Sequence, residues 1–170
     1  MKYFAFILIV LLALVASAPV YALCPWAPGM PDTKWVQMPD VSTTGIDIRV
    51  DSLDGEARIL ADDFMAVDTG PITDVHFWGS WKSDLKGLID LITISLYSDI
   101  PDPDGAGPGY SQPGGNPLWQ QIFGLGQFSE SLYATLPVGY EWFWDPFLGM
   151  VQQNGDRKVY QYDVCIDPAG

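Results

Sequence analysis

Ile72-Thr73-Asp74-Val75-His76-Phe77-Trp78-Gly79-Ser80-Trp81 is the stretch of this chain that decides the fold. Its side chains alternate with a period of two, so that Val75 and Phe77 share one side of an extended backbone and Asp74 and His76 share the other. An amphipathic helix would instead repeat its apolar residues every three or four positions. The stretch therefore predicts a β-strand with one apolar and one mixed face, as antiparallel sheets over a single core require.

Similar patterns recur along the rest of the chain, and no window beyond the N-terminal segment repeats with a helical period. Turn residues interrupt the chain about every ten positions, and a loop rich in proline and glycine is predicted from Asp99 to Pro117. Many short strands of this kind predict an all-β fold, specifically an antiparallel β-sandwich resembling a jelly roll. The other predicted strands are Lys34–Met38, Gly45–Val50, Arg58–Val67, Leu88–Tyr97, Leu118–Phe123, Phe128–Leu136, Glu141–Asp145 and Lys158–Ile166.

Residues 1–22 have the pattern of a secretory signal peptide. Lys2 precedes an apolar run from Tyr3 to Ala16, and Val20-Tyr21-Ala22 forms a small-x-small cleavage site. The apolar run is shorter than the ~20 residues of a membrane-spanning helix. We therefore expect a mature domain of residues 23–170 that is secreted or lies at the cell surface, with no membrane span after cleavage. Cys24 allows a lipoprotein interpretation, which the large residue before it, Leu23, disfavours.

The composition is strongly acidic, with a formal net charge of −13. The chain has 21 acidic residues, of which only Glu56, Glu130 and Glu141 are glutamates. Such a domain lacks the basic patch with which proteins bind nucleic acids and anionic membranes. Its natural counterions are cations, and Ca²⁺ is the one that we expect outside the cell. The alternative is that the acidity only keeps a secreted protein in solution.

The only two cysteines, Cys24 and Cys165, lie near the two ends of the mature chain. An even number of cysteines in an oxidising compartment favours pairing, so we predict a structural disulfide between them. Two buried thiols, or a bond to another chain, are the alternatives.

A candidate calcium site lies in the predicted loop, where Asp99, Asp102 and Asp104 fall within six residues. Ca²⁺ binds six to eight oxygen atoms, and closely spaced aspartates on a turning backbone supply several of them. The spacing is not that of an EF-hand, and a solvated acidic loop is the alternative interpretation.

The remaining polar motifs favour structural roles. His76 is the only histidine, which disfavours both a zinc site and a Ser-His-Asp triad with Ser80. We predict that it is a structural partner of Asp74 or of a backbone carbonyl. Asp62-Asp63 is expected to form a structural ion pair with Arg49 or Arg58, or to anchor a turn, rather than to act in catalysis or bind a metal.

Five tryptophans are candidates for carbohydrate binding, because indole rings on a flat face stack on sugar rings while nearby polar groups bind hydroxyls. Two of them share a face if residues 141–145 form a strand. The alternative is that all five are core aromatics. The candidates are Trp78, Trp81, Trp119, Trp142 and Trp144.

Four motifs resemble an uncharacterised family of secreted β-sandwich domains found in bacteria and archaea, often within modular extracellular proteins. They are Lys34-Trp35-Val36-Gln37-Met38-Pro39-Asp40, Thr44-Gly45-Ile46-Asp47, Leu60-Ala61-Asp62-Asp63-Phe64 and the stretch from Thr69 to Trp81. The resemblance implies secretion and the fold class but no activity. Members continue past the equivalent of Asp163, so this chain, which stops at Gly170, is expected to be a minimal or truncated version.

These observations predict a non-catalytic secreted or surface-associated β-sandwich module that binds carbohydrate and is stabilised by Ca²⁺. The alternative is a structural or adhesive component of the cell envelope that assembles through sheet edges. A small glycoside hydrolase is the least favoured interpretation, since glutamate is scarce and a sandwich of this size leaves little room for a cleft.

Overall fold

The computed structural model describes residues 24–31, 33–50, 58–66, 69–102, 107, 109–137 and 139–166. The segment interpreted as a signal peptide lies outside these residues. Within the described ranges, no helix has the length and apolar character needed to cross a membrane. The strands are β1 (Ile46–Ile48), β2 (Asp74–Ser80), β3 (Leu91–Ile100), β4 (Gln112–Gly124), β5 (Phe128–Thr135), β6 (Trp142–Asp145), β7 (Met150–Gln152) and β8 (Lys158–Cys165).

The strands form three sheets, in the orders β1-β6-β7, β2-β8-β5 and β3-β4. Every pair is antiparallel except β1 and β6, which run parallel with Asp47 opposite Phe143. One short 3₁₀ turn, Lys82–Asp84, follows β2. The predicted all-β, antiparallel fold class is confirmed.

The central strand of the second sheet, β8, carries much of the buried core. Val159, Tyr162 and Val164 are buried, and Phe77 of β2 stacks on Tyr162 with 5.1 Å between ring centroids. Strand β8 has a hydrogen-bonded neighbour on each side. Gln161, on the opposite face of β8 from Tyr162, is buried although it is polar.

The N-terminal segment is joined to the end of β8 by a disulfide between Cys24 and Cys165, which lie 141 positions apart in sequence. The predicted disulfide is confirmed. Trp26, two residues beyond Cys24, stacks on His76 and packs edge-on against Trp78. The amide Nε2 of Gln161 donates a hydrogen bond to the carbonyl oxygen of Trp26. The disulfide therefore holds this segment across the polar face of the second sheet.

Three sequence predictions are wrong in detail. Residues 34–38 and 58–66 form no strand, and much of the predicted long loop is strand, because β3 continues to Ile100 and β4 begins at Gln112. In the ranges that the structure describes, β3 and β4 pair only with each other, so Pro113 and Pro117 interrupt no ladder on the outer edge of β4. The register is irregular between Leu96 and Asp99, opposite these prolines.

Candidate metal centre

Three carboxylates from distant parts of the chain meet at one place in the fold. Asp47 is the middle residue of β1, Glu141 directly precedes β6, and Asp156 lies shortly before β8. One oxygen atom from each side chain can be chosen so that all three lie within 4.8 Å of one another. This group of three is called the carboxylate cluster below.

Backbone hydrogen bonds fix the relative positions of these three residues. The amide of Glu141 donates to the carbonyl oxygen of Asp156 over 2.9 Å, and the amide of Gly155 donates to that of Glu141 over 2.8 Å. The amide of Trp142 donates to the carbonyl oxygen of Gly45, which starts the parallel pairing of β1 with β6. The cluster is thus part of the framework that joins β1, β6 and the start of β8.

Gly45 is required at this place by close approach of its neighbours. A Cβ atom at Gly45 would collide with the carbonyl oxygen of Asp40 and would lie 3.1 Å from Oε1 of Glu141. Since a backbone oxygen cannot move aside as a flexible side chain can, only glycine allows the chain to pass so near the cluster.

Two members of the cluster are almost completely buried and lack hydrogen-bond partners. The exposed fraction of Glu141 is 2% and that of Asp156 is 1%. Among the described residues, Oε1 of Glu141 and both carboxylate oxygens of Asp156 have no partner. Ser80 donates a hydrogen bond to Oδ2 of Asp47. Ionised carboxylates only accept hydrogen bonds, so they cannot satisfy one another and need a proton or a cation between them.

Among the described residues, no basic side chain forms an ion pair with the carboxylate cluster. Burial, together with the nearby carboxylates of Asp47 and Asp40, raises the pKa of Glu141 to about 7. Burial and the adjacent Asp47 raise the pKa of Asp156 well above its usual range. Without a cation, the fold therefore retains protons that the unfolded chain would release.

These shifts predict how the stability of the metal-free protein depends on pH. Between the unfolded pKa of Glu141, near 4.5, and its folded value of about 7, the folded state binds more protons than the unfolded state. Stability must therefore fall as pH rises through this window. We expect urea unfolding in metal-depleted buffer to show a lower midpoint at pH 8 than at pH 5. Glu141→Gln, which removes one titrating group, should make this dependence shallower, and an unchanged dependence would contradict the assignment.

A small cavity of about 150 Å³ adjoins the cluster. Its polar walls include Asp40, Asp47 and Glu141, and its apolar walls include Ile46, Trp78 and Val159. Cavities that enclose a drug-sized ligand are larger, about 300–1,000 Å³. The space suits a cation with water molecules or with part of a larger ligand.

The donor set fits a hard divalent cation. Carboxylate oxygens are the ligands that Ca²⁺ prefers, at about 2.3–2.6 Å, so two oxygens on opposite sides of the ion are up to about 5 Å apart. The oxygens of the cluster, all within 4.8 Å of one another, satisfy this limit. A zinc site would draw instead on histidine nitrogen or cysteine sulfur. Asp47, Glu141 and Asp156 would hold the ion.

Of the three aspartates predicted as calcium ligands, the structure describes Asp99 and Asp102, and neither belongs to the carboxylate cluster. Asp99 belongs to β3, and Asp104 lies outside the described residues. Asp102 accepts hydrogen bonds from the backbone amides of Gly107 and Gly109, at 3.1 and 2.7 Å. The Asp102 carboxylate thus closes its own loop, and calcium binding there stays a prediction.

Four of the five candidate tryptophans lie in strands of the three sheets, and Trp81 lies outside them. Trp78 lies in β2 and lines the cavity beside the cluster, whereas Trp81 follows β2 and packs against Gly87. Trp119 lies in β4, and Trp142 and Trp144 lie in β6. Of the β6 pair, Trp142 is exposed and Trp144 is half-buried, while Phe143 between them is buried. Trp78 is the candidate that adjoins the carboxylate cluster.

The structural prediction for His76 is confirmed. Its Nδ1 lies 2.8 Å from Oδ1 of Asp163 and its Nε2 lies 3.1 Å from Oδ1 of Asp74. Arg49 pairs with Asp145 at 3.5 Å, and the carboxylate of Asp62 accepts a local hydrogen bond from the amide of Asp63. The pairing of Asp62-Asp63 with Arg49 or Arg58 stays a prediction. Strand β6 places Asp145 near Arg49, and a local sequence pattern cannot predict this contact because the two residues are far apart in sequence.

A family model described as a domain of unknown function, DUF7901, matches residues 33–169 of this chain. No curated protein and no solved structure matches it. The match includes all four sequence motifs from which the family resemblance was inferred, and it extends over all eight strands.

Proposed function

This chain belongs to the DUF7901 family, a domain of unknown function, and from that premise we propose that it is a non-catalytic secreted β-module stabilised by Ca²⁺. The ion binds to the carboxylate cluster of Asp47, Glu141 and Asp156. The single observation that carries this proposal is the burial of carboxylate oxygens that have no hydrogen-bond partner. A divalent cation satisfies them all at once and removes the repulsion between their charges.

The disulfide supports secretion. Bonds of this type form and persist in oxidising compartments and are rare in the reducing cytosol. Both cysteines follow the predicted cleavage site after Ala22, so the bond between Cys24 and Cys165 belongs to the mature chain.

The spacing of the cluster supports a non-catalytic role. Glycoside hydrolases keep their two carboxyl groups about 5–9.5 Å apart, which leaves room for the sugar and for a water molecule. Here one oxygen from each of three carboxylates lies within 4.8 Å of the others, close to the shortest of these separations, but Glu141 and Asp156 are almost completely buried, so a sugar has little access to them. This arrangement suits an ion better than it suits a glycosidic bond.

Calorimetric titration of the oxidised, secreted protein with CaCl₂ tests the proposal. We expect one bound ion per chain in the parent and none in Asp156→Asn, because the amide removes a charged ligand. Asp102→Asn is the matched control, since it alters an aspartate in the other candidate site, and it should bind as the parent does. Loss of binding in Asp102→Asn but not in Asp156→Asn would assign the ion to the loop. No binding in the parent would refute the proposal.

The alternative is a structural component of the cell envelope that assembles through its sheets. Exposed apolar side chains on the β3-β4 pair, among them Leu91, Leu118 and Ile122, support it. Within the described residues β3 and β4 pair only with each other, so their outer edges are open.

A further inference from the structure

We propose that Asn154 is a site of spontaneous deamidation through a cyclic imide, and that it reacts only in molecules in which the connection between β7 and β8 has opened. Asn154 and Gly155 form the only asparagine–glycine pair in the chain. The reaction needs water but no enzyme and no bound ion. It is therefore independent of calcium binding at the carboxylate cluster.

The chemistry joins two neighbouring residues. The backbone nitrogen of Gly155 loses its proton and forms a bond to Cγ of Asn154, and the side-chain NH₂ group leaves as ammonia. Water then opens the imide at one of its two carbonyl carbons. One opening gives aspartate. The other gives isoaspartate, in which the main chain runs through Cβ and Cγ and is longer by one atom, about 1.5 Å. One water is consumed, one ammonia is released, and nothing is oxidised or reduced.

The fold favours this reactive pair for two separate reasons. Asn154 has a φ of 58°, in the left-handed region that asparagine adopts more readily than most other residues. A Cβ atom at Gly155 would lie 3.1 Å from the carbonyl oxygen of Glu141 and 3.1 Å from Cβ of Phe143. Any side chain at position 155 would therefore force neighbouring atoms to move. The glycine that fits here also leaves its nitrogen unshielded by a side chain.

The folded structure protects the reacting nitrogen. Asn154 is exposed, whereas Gly155 is buried and its amide donates a hydrogen bond to the carbonyl oxygen of Glu141 over 2.8 Å. The carbonyl oxygen of Gly155 accepts a hydrogen bond from the amide of Ser83. The nitrogen is free to lose its proton and approach Cγ of Asn154 only when this connection opens locally. Such openings in proteins cost anything from almost nothing to the free energy of global unfolding.

Modification makes the opening permanent. The amide of Glu141 donates to the carbonyl oxygen of Asp156 over 2.9 Å, so Gly155 and Asp156 are both paired with the backbone of Glu141. An isoaspartate at position 154 lengthens the main chain directly before these bonds by about 1.5 Å. Hydrogen bonds weaken steeply beyond their usual length, so we expect the modified chain to lose the bond between Gly155 and Glu141. A reversible fluctuation thereby becomes an irreversible change.

The first experiment compares deamidation in the folded and the unfolded protein. The oxidised, secreted protein is incubated at pH 8 with and without denaturing urea, and peptide mass spectrometry follows each asparagine. We expect Asn154 to deamidate in urea and to react at least about tenfold more slowly in the folded protein. Hydrogen exchange at the Gly155 amide should be slowed by a similar factor, because the same opening exposes that nitrogen. Asn116 is the internal control, since Pro117 after it has no N–H proton to lose.

Two variants at position 154 separate the backbone change from the new charge. Asn154→Gly tolerates the positive φ and has no side-chain amide, so its peptide should keep its mass. Asn154→Asp carries the charge of the product without the extra main-chain atom. We expect the purified isoaspartate form to have a lower urea midpoint than freshly prepared Asn154→Asp. Its Gly155 amide should exchange at least about tenfold faster than that of the parent.

Three outcomes would overturn the inference. Equal deamidation rates in the folded and the unfolded protein would show that the hydrogen bond from Gly155 to Glu141 does not control the reaction. No deamidation of Asn154 in urea would remove the site itself. An isoaspartate form as stable as Asn154→Asp would show that the connection closes again. Neither rate requires calcium, so failure of the proposed function leaves this test unaffected.

Discussion

Replacing Cys24 and Cys165 with serine is expected to lower the free energy of unfolding by about 2–5 kcal/mol. The bond joins residues 141 positions apart, so its loss returns a large amount of conformational freedom to the unfolded chain. Its loss also frees Trp26, which covers His76 and Trp78 in the folded protein. Urea denaturation of the double variant beside the oxidised parent measures the difference.

Two controls separate the loop closure from the packing. Trp26→Ala keeps the disulfide and removes only the aromatic contacts, so it should destabilise the protein less than the double serine variant does. The parent treated with reductant should behave like the double variant. An unchanged urea midpoint in both would show that the covalent link does not stabilise the fold.

Asp156→Asn is expected to be more stable than the parent protein in a calcium chelator and less stable than the parent in calcium. At pH 8 without calcium, the amide removes a buried carboxylate that has no partner, so the variant should unfold at a higher temperature than the parent. With calcium at about 100 times its dissociation constant, ion binding adds about 2.7 kcal/mol to the parent. For a chain of this size that corresponds to about 5–10 °C in unfolding temperature. Scanning calorimetry with EGTA and then with CaCl₂ measures both.

Asp62→Asn is the control for this comparison, because Asp62 is an exposed aspartate outside the cluster. It should leave both unfolding temperatures nearly unchanged. If Asp156→Asn lowered the unfolding temperature equally in EGTA and in calcium, Asp156 would be a hydrogen-bonded structural residue rather than an ion ligand.

The alternation of apolar and polar residues predicted the strands that have one face on the apolar core and the other on a polar side. In β2, Phe77 turns to the apolar core and His76 to the polar side, as expected. The pattern could not predict the part of β4 that precedes Leu118. Pro113 and Pro117 normally end a strand, and only the edge of a sheet tolerates them. Which strand lies at an edge is decided by the sheet order, which alternation does not encode.

The carboxylate cluster could not be predicted from the sequence for a related reason. Asp47 lies within the predicted strand Gly45–Val50, and nothing local links it to Glu141 or Asp156. Their meeting depends on the parallel pairing of β1 with β6. By contrast, the aspartates of residues 99–104 are neighbours in sequence, and this is why the sequence predicts a calcium site there. In the structure, Asp102 accepts a hydrogen bond from the amide of Gly107 in its own loop. Gly45 is the one local signal, a glycine two positions before Asp47 at a place where the backbone passes close to other segments.

The parallel pairing of β1 with β6 has a consequence for how the protein folds. Its two strands lie at opposite ends of the described chain, as do the two cysteines, so neither contact can form early from a short local segment. Such a high contact order predicts slow folding. While the part of the chain that carries Asp156 is still unfolded, the carboxylate cluster is incomplete. Calcium affinity would therefore report completion of the fold, and would distinguish finished molecules from partly folded ones.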